Sequence, residues 1–454
     1  RELVAGRMPV ADRLIYASAL VQLLRTDEAL AEINAILSAE PANGSGAHEV
    51  DAAARARALL LAGRAHLARG ETERGDAAWA AALALATEAN LPAERAEALR
   101  RIGMADYRRG RVLSAQAGFR KALAIAEESG DRRGEAWALQ NLAWVETTLG
   151  DFTRAEATLA RAARLFTELG NTTGRAWLRG TTAFTRLLAG RLHEARRLAL
   201  AFLPFGERVG EPWAVGTLRA VAAYAAAELG DLAEAEALAR QAYAEFDAVG
   251  DDWGRAFALV VRGIVARERG EAAMPLFDAA CQYGERSAHP LLLGIAHTVR
   301  GFTALAAGDT AAADRDARRV LAIMRPYGVA DAARVGPRVL LGRVRLARGD
   351  LAGALEVLGT VAATVESGAP SVLMSPRQAV AEYADALLAA NRVDEAVAAA
   401  RRAVTLPGED VRGRVVADQV LARAELAASE LASVTGPDGR EPGRAPSVGS
   451  AHVG

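Results

Sequence analysis

The side chains able to do catalysis or bind metal are few in this chain, and their spacing is wrong for either task. Six histidines are scattered: His48, His66, His193, His289, His297 and His452. No His-x-x-x-His pair sets two imidazoles on one helix face for zinc, and no Cys-x-x-Cys is present. His289 and His297 can share a helix face two turns apart, but no ligand-spaced partner joins them. A phosphate-binding loop needs Gly-Lys-Ser/Thr. Lys121, the only lysine, stands between Arg120 and Ala122, so that motif is absent. The lone Cys281 can form no internal disulfide, which fits a reducing cytoplasm, and it reads as a small buried apolar residue. Carboxylates such as Glu234 and Glu236 fall on solvated helix positions, and no acid–base pair stands out. The expectation is a chain with no catalytic residue, no cofactor and no metal. Recognition through aromatic and arginine side chains is what remains.

Those side chains need elements to hold them. Net charge is −1, which argues against a generally basic nucleic-acid binder. Hydrophobic residues make up 51% of the 454, aromatics only 5%. Alanine, the strongest helix former, contributes about a quarter of the chain, far above ordinary usage. The core is therefore large and helical, and an all-β fold is excluded. No apolar run reaches the roughly 20 residues that a membrane-spanning helix needs. Residues 1–10 hold no secretory apolar region.

Glycines punctuate the chain. Gly70, Gly110, Gly150, Gly190, Gly230 and Gly270 are forty residues apart, followed by Gly308 and Gly349, with Asn391 in the next place. A second series lies half a period away: Asn90, Gly130, Gly170, Gly210, Gly250, Ala288, Gly328 and Gly368. Asn replaces Gly where a left-handed backbone is required. Between these points the apolar spacing is helical, as in 136–149 and 155–169. Gly150-Asp151, Gly230-Asp231, Gly250-Asp251 and Gly349-Asp350 each read as a helix stop followed by an N-cap. Each forty-residue unit is thus a helical hairpin, and hairpins must stack to bury their faces. The Gly270 unit is two residues short, with the gap just after Glu271.

Small residues recur inside the hairpins. Seven before the turn stand Gly63, Gly103, Ala143, Ala183, Ala223, Gly263, Gly301, Gly342 and Ala384; five after it stand Gly75, Ala115, Ala155, Ala195, Ala235, Ala313, Ala354 and Ala396. These sites straddle the turn and let two helices approach closely. Ala143, Gly150, Ala155 and Ala162, with Leu139 and Leu159 as large partners, resemble the tetratricopeptide repeat (TPR). That repeat usually has a period of about 34 residues. The run from Gly130-Asp131 through Asn141-Leu142-Ala143 to Leu149-Gly150-Asp151 resembles its longer-period variety, found in bacterial regulatory proteins. The resemblance implies an all-α, right-handed α-solenoid of about ten antiparallel hairpins. The expected organisation is an N-terminal hairpin at 1–39, a flexible loop at 40–50, the solenoid at 51–408, a capping helix at 409–433 and a disordered tail at 434–454.

In such arrays the first helix of each hairpin lines the concave surface. Mapped by distance from the turn, that surface takes in Arg100, Arg101, Met104 and Tyr107, then Trp137, Gln140, Asn141 and Trp144. Trp177, Thr181, Phe184, Tyr224, Phe257, Ile264 and Arg267 follow. Aromatics and arginines dominate binding hot spots, but large rings commonly serve as core, so packing between hairpins is the stronger expectation for Trp137, Trp177 and Phe257, and Arg100, Gln140, Asn141 and Trp144 are the better binding candidates. Trp213 and Trp253 fall at helix starts, where packing is the stronger expectation. The lysine-and-asparagine clamp by which some TPR domains hold a terminal carboxylate is not matched. Arg100, Arg101 and Asn141 offer a looser anion site in its place.

Charge is uneven along the chain. Residues 91–120 are net positive, 226–255 carry −6 and 312–348 carry +6. Such blocks can steer a charged partner or simply be solvated faces. The expected function is a protein- or peptide-binding scaffold, the sensor or interaction arm of a larger bacterial signalling or transcriptional regulator in the cytoplasm. Effector domains are then expected before Arg1. The alternatives are a stand-alone receptor for a small signalling peptide, an enzyme with an unrecognised groove site, and a self-associating solenoid.

Overall fold

The structure, a computed structural model, describes residues 8–39, 50–287, 289–325, 334–368 and 374–435. Its elements among these residues are 21 α-helices. The first hairpin pairs α1 (Val10–Gln22) with α2 (Thr26–Leu37), and the second pairs α3 (Ala52–Ala68) with α4 (Thr72–Glu88). Next come α5 (Pro92–Arg108) with α6 (Val112–Ser129), α7 (Arg132–Leu149) with α8 (Phe152–Glu168), and α9 (Thr172–Leu188) with α10 (Leu192–Val209). The sixth to eighth hairpins are α11 (Pro212–Glu228) with α12 (Leu232–Ala248), α13 (Asp252–Glu268) with α14 (Met274–Ser287), and α15 (Pro290–Ala306) with α16 (Thr310–Met324). The last two are α17 (Val335–Ala347) with α18 (Leu351–Glu366) and α19 (Pro376–Ala389) with α20 (Val393–Thr405), followed by α21 (Val411–Thr435). The loop expected at 40–50 and the tail expected from 434 lie outside the described residues, apart from Val50 and the last turn of α21.

Each described punctuation residue is left-handed. The glycines have φ between 60° and 91°, Asn90 has 53° and Asn391 has 58°. Ala288 and Gly328 lie outside the described residues. A left-handed residue stops a helix, and the next acid caps the following one. Asp151 accepts from Arg154 N at 3.2 Å, Asp251 from Gly254 N at 2.7 Å, and Asp350 from Gly353 N at 2.9 Å. Asp231 instead pairs with Arg196 of the preceding hairpin, at 2.5 Å. In the short unit α14 begins at Met274, and Pro275 sits in its first turn, where no amide donor is needed.

The hairpins stack as two layers. The first helix of each hairpin packs on the first helices of its neighbours, whereas second helices touch mainly the helices adjacent in sequence. This asymmetry curves the array, with first helices inside. Burial follows the layers. In α8 a single stripe is buried (Phe152, Ala155, Leu159, Ala162, Leu165, Phe166), while in α7 the whole run from Ala138 to Thr148 is buried.

Within hairpins, side-chain volumes are complementary across the turn. Gly63 faces Trp79, and a Cβ added to Gly63 would lie 2.1 Å from the indole nitrogen. Gly103 faces Phe119, with an added Cβ 2.8 Å from the ring. The same holds for Gly263 against Phe277 and Gly342 against Leu358. Where the first site is Ala, the residue nine after the turn is Leu159 for Ala143, Ala199 for Ala183 and Ala239 for Ala223, none of them aromatic. In these four glycine hairpins the facing side chain takes the volume that a Cβ would occupy.

Candidate functional site

The inner layer presents three distinct environments. The first is a packed aromatic column. Trp144 stacks on Phe184 at 5.0 Å between centroids and meets Trp213 and Trp253 edge-on at 5.3 and 5.5 Å. Phe257 lies 5.6 Å from Trp253 and 5.8 Å from Phe184. His289, which opens α15, meets Tyr107 of α5 edge-on at 4.9 Å. The superhelix is so tightly wound that residues 182 apart in sequence touch across its axis.

A polar chain ties this column together. His289 Nδ1 accepts from Leu292 N at 3.3 Å, which assigns the ring proton to Nε2 and directs it to the Tyr107 hydroxyl. Tyr107 then donates to Thr148 Oγ1 at 2.7 Å, and Thr148 donates to the Trp144 carbonyl at 2.9 Å. Burial holds His289 neutral, with its pKa pushed down to about 3, and pushes the Tyr107 hydroxyl well above its usual range. Of the residues expected on the concave surface, Tyr107, Trp144, Phe184 and Phe257 are therefore interior packing, all at most 7% exposed. Curvature brings opposing inner helices into contact, so the groove expected along them is filled here.

The second environment is a partly open cavity of about 880 Å³ lined by the inner ends of the second to sixth hairpins, with Gln22 of the first hairpin at its edge. Arg100, Arg101, Trp137, Gln140, Asn141 and Trp177 all line it. Some of them are already spoken for. Arg100 donates to Glu97 at 2.6 Å and to Asn141 Oδ1 at 3.2 Å. Asn141 donates to Gln140 at 2.8 Å, and Gln140 to Thr181 at 3.2 Å. Gln140 and Asn141 are 2% and 3% exposed, so they brace the wall and present little to a ligand. Arg101 also binds Glu97, at 2.6 Å. Burial opposes ionisation of Glu97, yet the charges and hydrogen bonds of Arg100 and Arg101 hold it down at about 2.

Trp137 and Trp177 are only half-buried. Their rings meet edge-on at 6.5 Å, and Trp177 stacks on Trp213 at 4.2 Å. The Arg100 guanidinium lies 5.7 Å from the Trp137 ring centre, and Trp177 Nε1 donates to Glu211 at 3.3 Å. These rings form an apolar ledge beside a basic wall. Arg64, Arg108 and Arg133 complete that wall, and no carboxylate lies within ion-pair distance of them among the described residues. Burial, then repulsion by Arg101, depresses Arg64 to about 10. Arg108 opens onto the cavity and keeps accessible area, but surrounding protein still lowers its pKa.

Sequence mapping missed these three arginines, although the repeat held the signal. Arg64 occupies the repeat position of Met104, Trp144, Phe184 and Tyr224, six before the turn. Arg133 occupies that of Trp213 and Trp253, three after the second punctuation.

The third environment holds Tyr224 and Arg267. Here the chain before α21 reaches back to the fifth to seventh hairpins and encloses about 490 Å³, lined in part by Leu187, Tyr224, Glu228, Met374 and Asp410. Glu409 accepts from His193 N at 2.7 Å, and Arg412 pairs with Glu268 at 3.3 Å. Burial and then the neighbouring Asp410 push Glu228 up to about 7. Burial and Arg412 lower the Arg267 pKa.

Among the described residues no group of three or more His, Cys, Asp and Glu could hold a metal ion. No described helix is long and apolar enough to cross a membrane.

Comparison with known proteins gives the same architecture. Residues 94–168 match the tetratricopeptide-repeat family. No curated protein matches the sequence. The fold is similar to that of a Rap protein complexed with competence and sporulation factor (TM-score 0.55, 15% identity, 85% of this chain and 99% of that one). The apo form of RapI is also similar (TM-score 0.47, 14% identity, 79% of this chain and 99% of that one). A signal-transduction ATPase with a tetratricopeptide-repeat sensor from Pyrococcus horikoshii is a further neighbour (TM-score 0.41, 15% identity, 74% of this chain and 52% of that one). The forty-residue period, the two-layered stack of hairpins and the family match agree: the chain is an α-solenoid built of tetratricopeptide-type repeats.

Proposed function

We propose that this solenoid is a protein-interaction scaffold that holds a peptide, or an extended segment of a protein, in the cavity between the second and sixth hairpins. The observation that carries this reading is the ledge of half-buried Trp137 and Trp177 beside an arginine wall, in a cavity of about 880 Å³. Aromatic ledges with adjacent arginines are what dominate binding energy at recognition sites, and the volume lies in the usual range for a ligand pocket. The similar Rap protein was captured with competence and sporulation factor, which supports the same kind of role. In the wider reading the array is the sensor arm of a bacterial signalling or transcriptional regulator, with its effector elsewhere.

The test is selection of seven-residue peptides from a displayed random library on the full chain. Binders are then retested on Trp137→Ala/Trp177→Ala. Loss of binding with unchanged helical circular dichroism is expected. Unchanged binding refutes the cavity as the site.

The contact of the chain before α21 with the fifth to seventh hairpins favours a second reading, a receptor that closes around a short peptide. Small-angle scattering should then show compaction when a selected peptide is added. No change in dimensions leaves the static scaffold.

A further inference from the structure

We infer that the cavity is specific for a peptide carboxylate, received by Arg64, Arg101 and Arg108. The inference rests on the cavity reading above and names the chemistry of its ligand.

The argument starts from unbalanced charge. Five arginines line the cavity: Arg64, Arg100, Arg101, Arg108 and Arg133. The acids on its walls are committed. Glu97 is shared by Arg100 and Arg101, Asp131 accepts from Gly134 N at 2.9 Å, and Glu211 accepts from Trp177. Arg100 is spent on Glu97, Asn141 and the Trp137 face. Arg101 uses its Nε on Glu97, and among the described residues its two terminal nitrogens have no hydrogen-bond partner. Arg64 and Arg108 have no carboxylate at ion-pair distance among the described residues; Glu97 attracts Arg64 and Asp251 attracts Arg108 only from farther off. Arg101 repels both of them. The anion site expected from Arg100, Arg101 and Asn141 is thus displaced: two of its three members are consumed internally, and the free donors lie beside it.

Like charges crowded along one partly shielded cavity wall repel one another unless an anion joins them. Guanidinium groups suit a carboxylate because their planar fork matches its two oxygens. A peptide is favoured over a nucleic acid by the opposite wall. Asp131 and Glu211 there would repel a phosphate chain, whereas peptide N–H groups can donate to them. The Trp137–Trp177 ledge adds apolar area for a neighbouring side chain.

The experiment uses the seven-residue peptides selected on the full chain. Each is resynthesised with Asp and Glu changed to Asn and Gln, and separately with its C-terminus amidated. The inference expects one of these changes to weaken binding about ten-fold or more, the effective one identifying side chain or terminus as the source of the carboxylate. Arg64→Gln and Arg108→Gln should each weaken the parent peptide and leave the neutralised one unaffected. Neither arginine is ion-paired, so both variants should fold; Arg109→Gln, at an arginine paired with Asp76 outside the cavity, serves as control. Binding that needs Trp137 and Trp177 but ignores carboxylate removal overturns the inference and leaves the cavity reading standing. Failure to select any peptide sinks both. Tighter binding of a twenty-residue oligoadenylate RNA than of any peptide also overturns the inference.

Discussion

Gly63→Ala is expected to destabilise the second hairpin although alanine is the better helix former. The residue lies inside α3, where replacing Gly by Ala ordinarily gains about 1 kcal/mol. Here the new methyl would stand 2.1 Å from Trp79 Nε1 and 2.4 Å from Cδ1, so the indole must move. That ring is 3% exposed and donates to the Leu60 carbonyl at 3.3 Å. Displacing it costs about 1 kcal/mol for the hydrogen bond and about 1–3 kcal/mol for overpacking, leaving a net loss of about 1–3 kcal/mol. The decisive comparison is with the Trp79→Ala background. That change alone costs about 3–5 kcal/mol through its cavity, but adding Gly63→Ala to it should then gain up to about 1 kcal/mol. The two substitutions therefore couple by about 2–4 kcal/mol. Repeat arrays open locally, so thermal unfolding is read by circular dichroism together with amide exchange over residues 52–88. A neutral or stabilising Gly63→Ala in the parent chain, or the same effect in both backgrounds, refutes the volume trade across the turn.

Other outcomes follow from the same geometry. Ala143→Leu, at a fully buried site facing Leu159, should lower the melting temperature with a cost of about 1–3 kcal/mol, whereas Ala157→Leu on the exposed face of α8 should do so far less; equal shifts refute the assignment. His289 is neutral when folded, with its pKa depressed to about 3, so the unfolded chain binds the extra proton between about pH 6.5 and 3. Stability is thus lost as pH falls through that window, by up to about 5 kcal/mol, and His289→Gln should flatten the acid limb of the melting-temperature profile. Glu228 works in the opposite sense. Its pKa is raised to about 7, so the folded chain holds a proton that the unfolded chain releases, and stability falls as pH rises from about 4.5 to 7. Glu228→Gln should therefore protect amides near residues 406–412 at pH 8 and do little at pH 4; equal protection at both refutes the burial of a charge there.

The fold was legible because its determinants are local and repeated. A left-handed residue every twenty positions needs Gly or Asn, and Gly150, Gly230 and Asn391 announce it without reference to anything distant. Hairpin packing was equally readable, since Ala143 and Ala155 face each other across a turn of fixed length. The assignment of first helices to the inner layer came from the resemblance to tetratricopeptide arrays, and the contacts between first helices agree with it. The fate of the inner face was not legible in this way. Trp144 and Trp137 both lie on α7, and the sequence favoured Trp144 for binding and Trp137 for packing; the structure reverses this, burying Trp144 against Phe184 and Trp253 and leaving Trp137 half-buried at a cavity. The contact of Tyr107 with His289 depends on how far the five rotations between the third and eighth hairpins accumulate, and no residue encodes that sum.

Sequence alone thus determined the helices, their pairing and their order, because caps, turns and small-residue contacts act over forty residues or fewer. Tertiary structure decided which inner side chains became core, which arginines were left without partners, and where the chain before α21 reached back to the middle of the array. Each of these depends on the winding of the whole superhelix, a sum of many inter-hairpin angles set by side-chain packing, so that one residue's surroundings are fixed by others more than a hundred positions away.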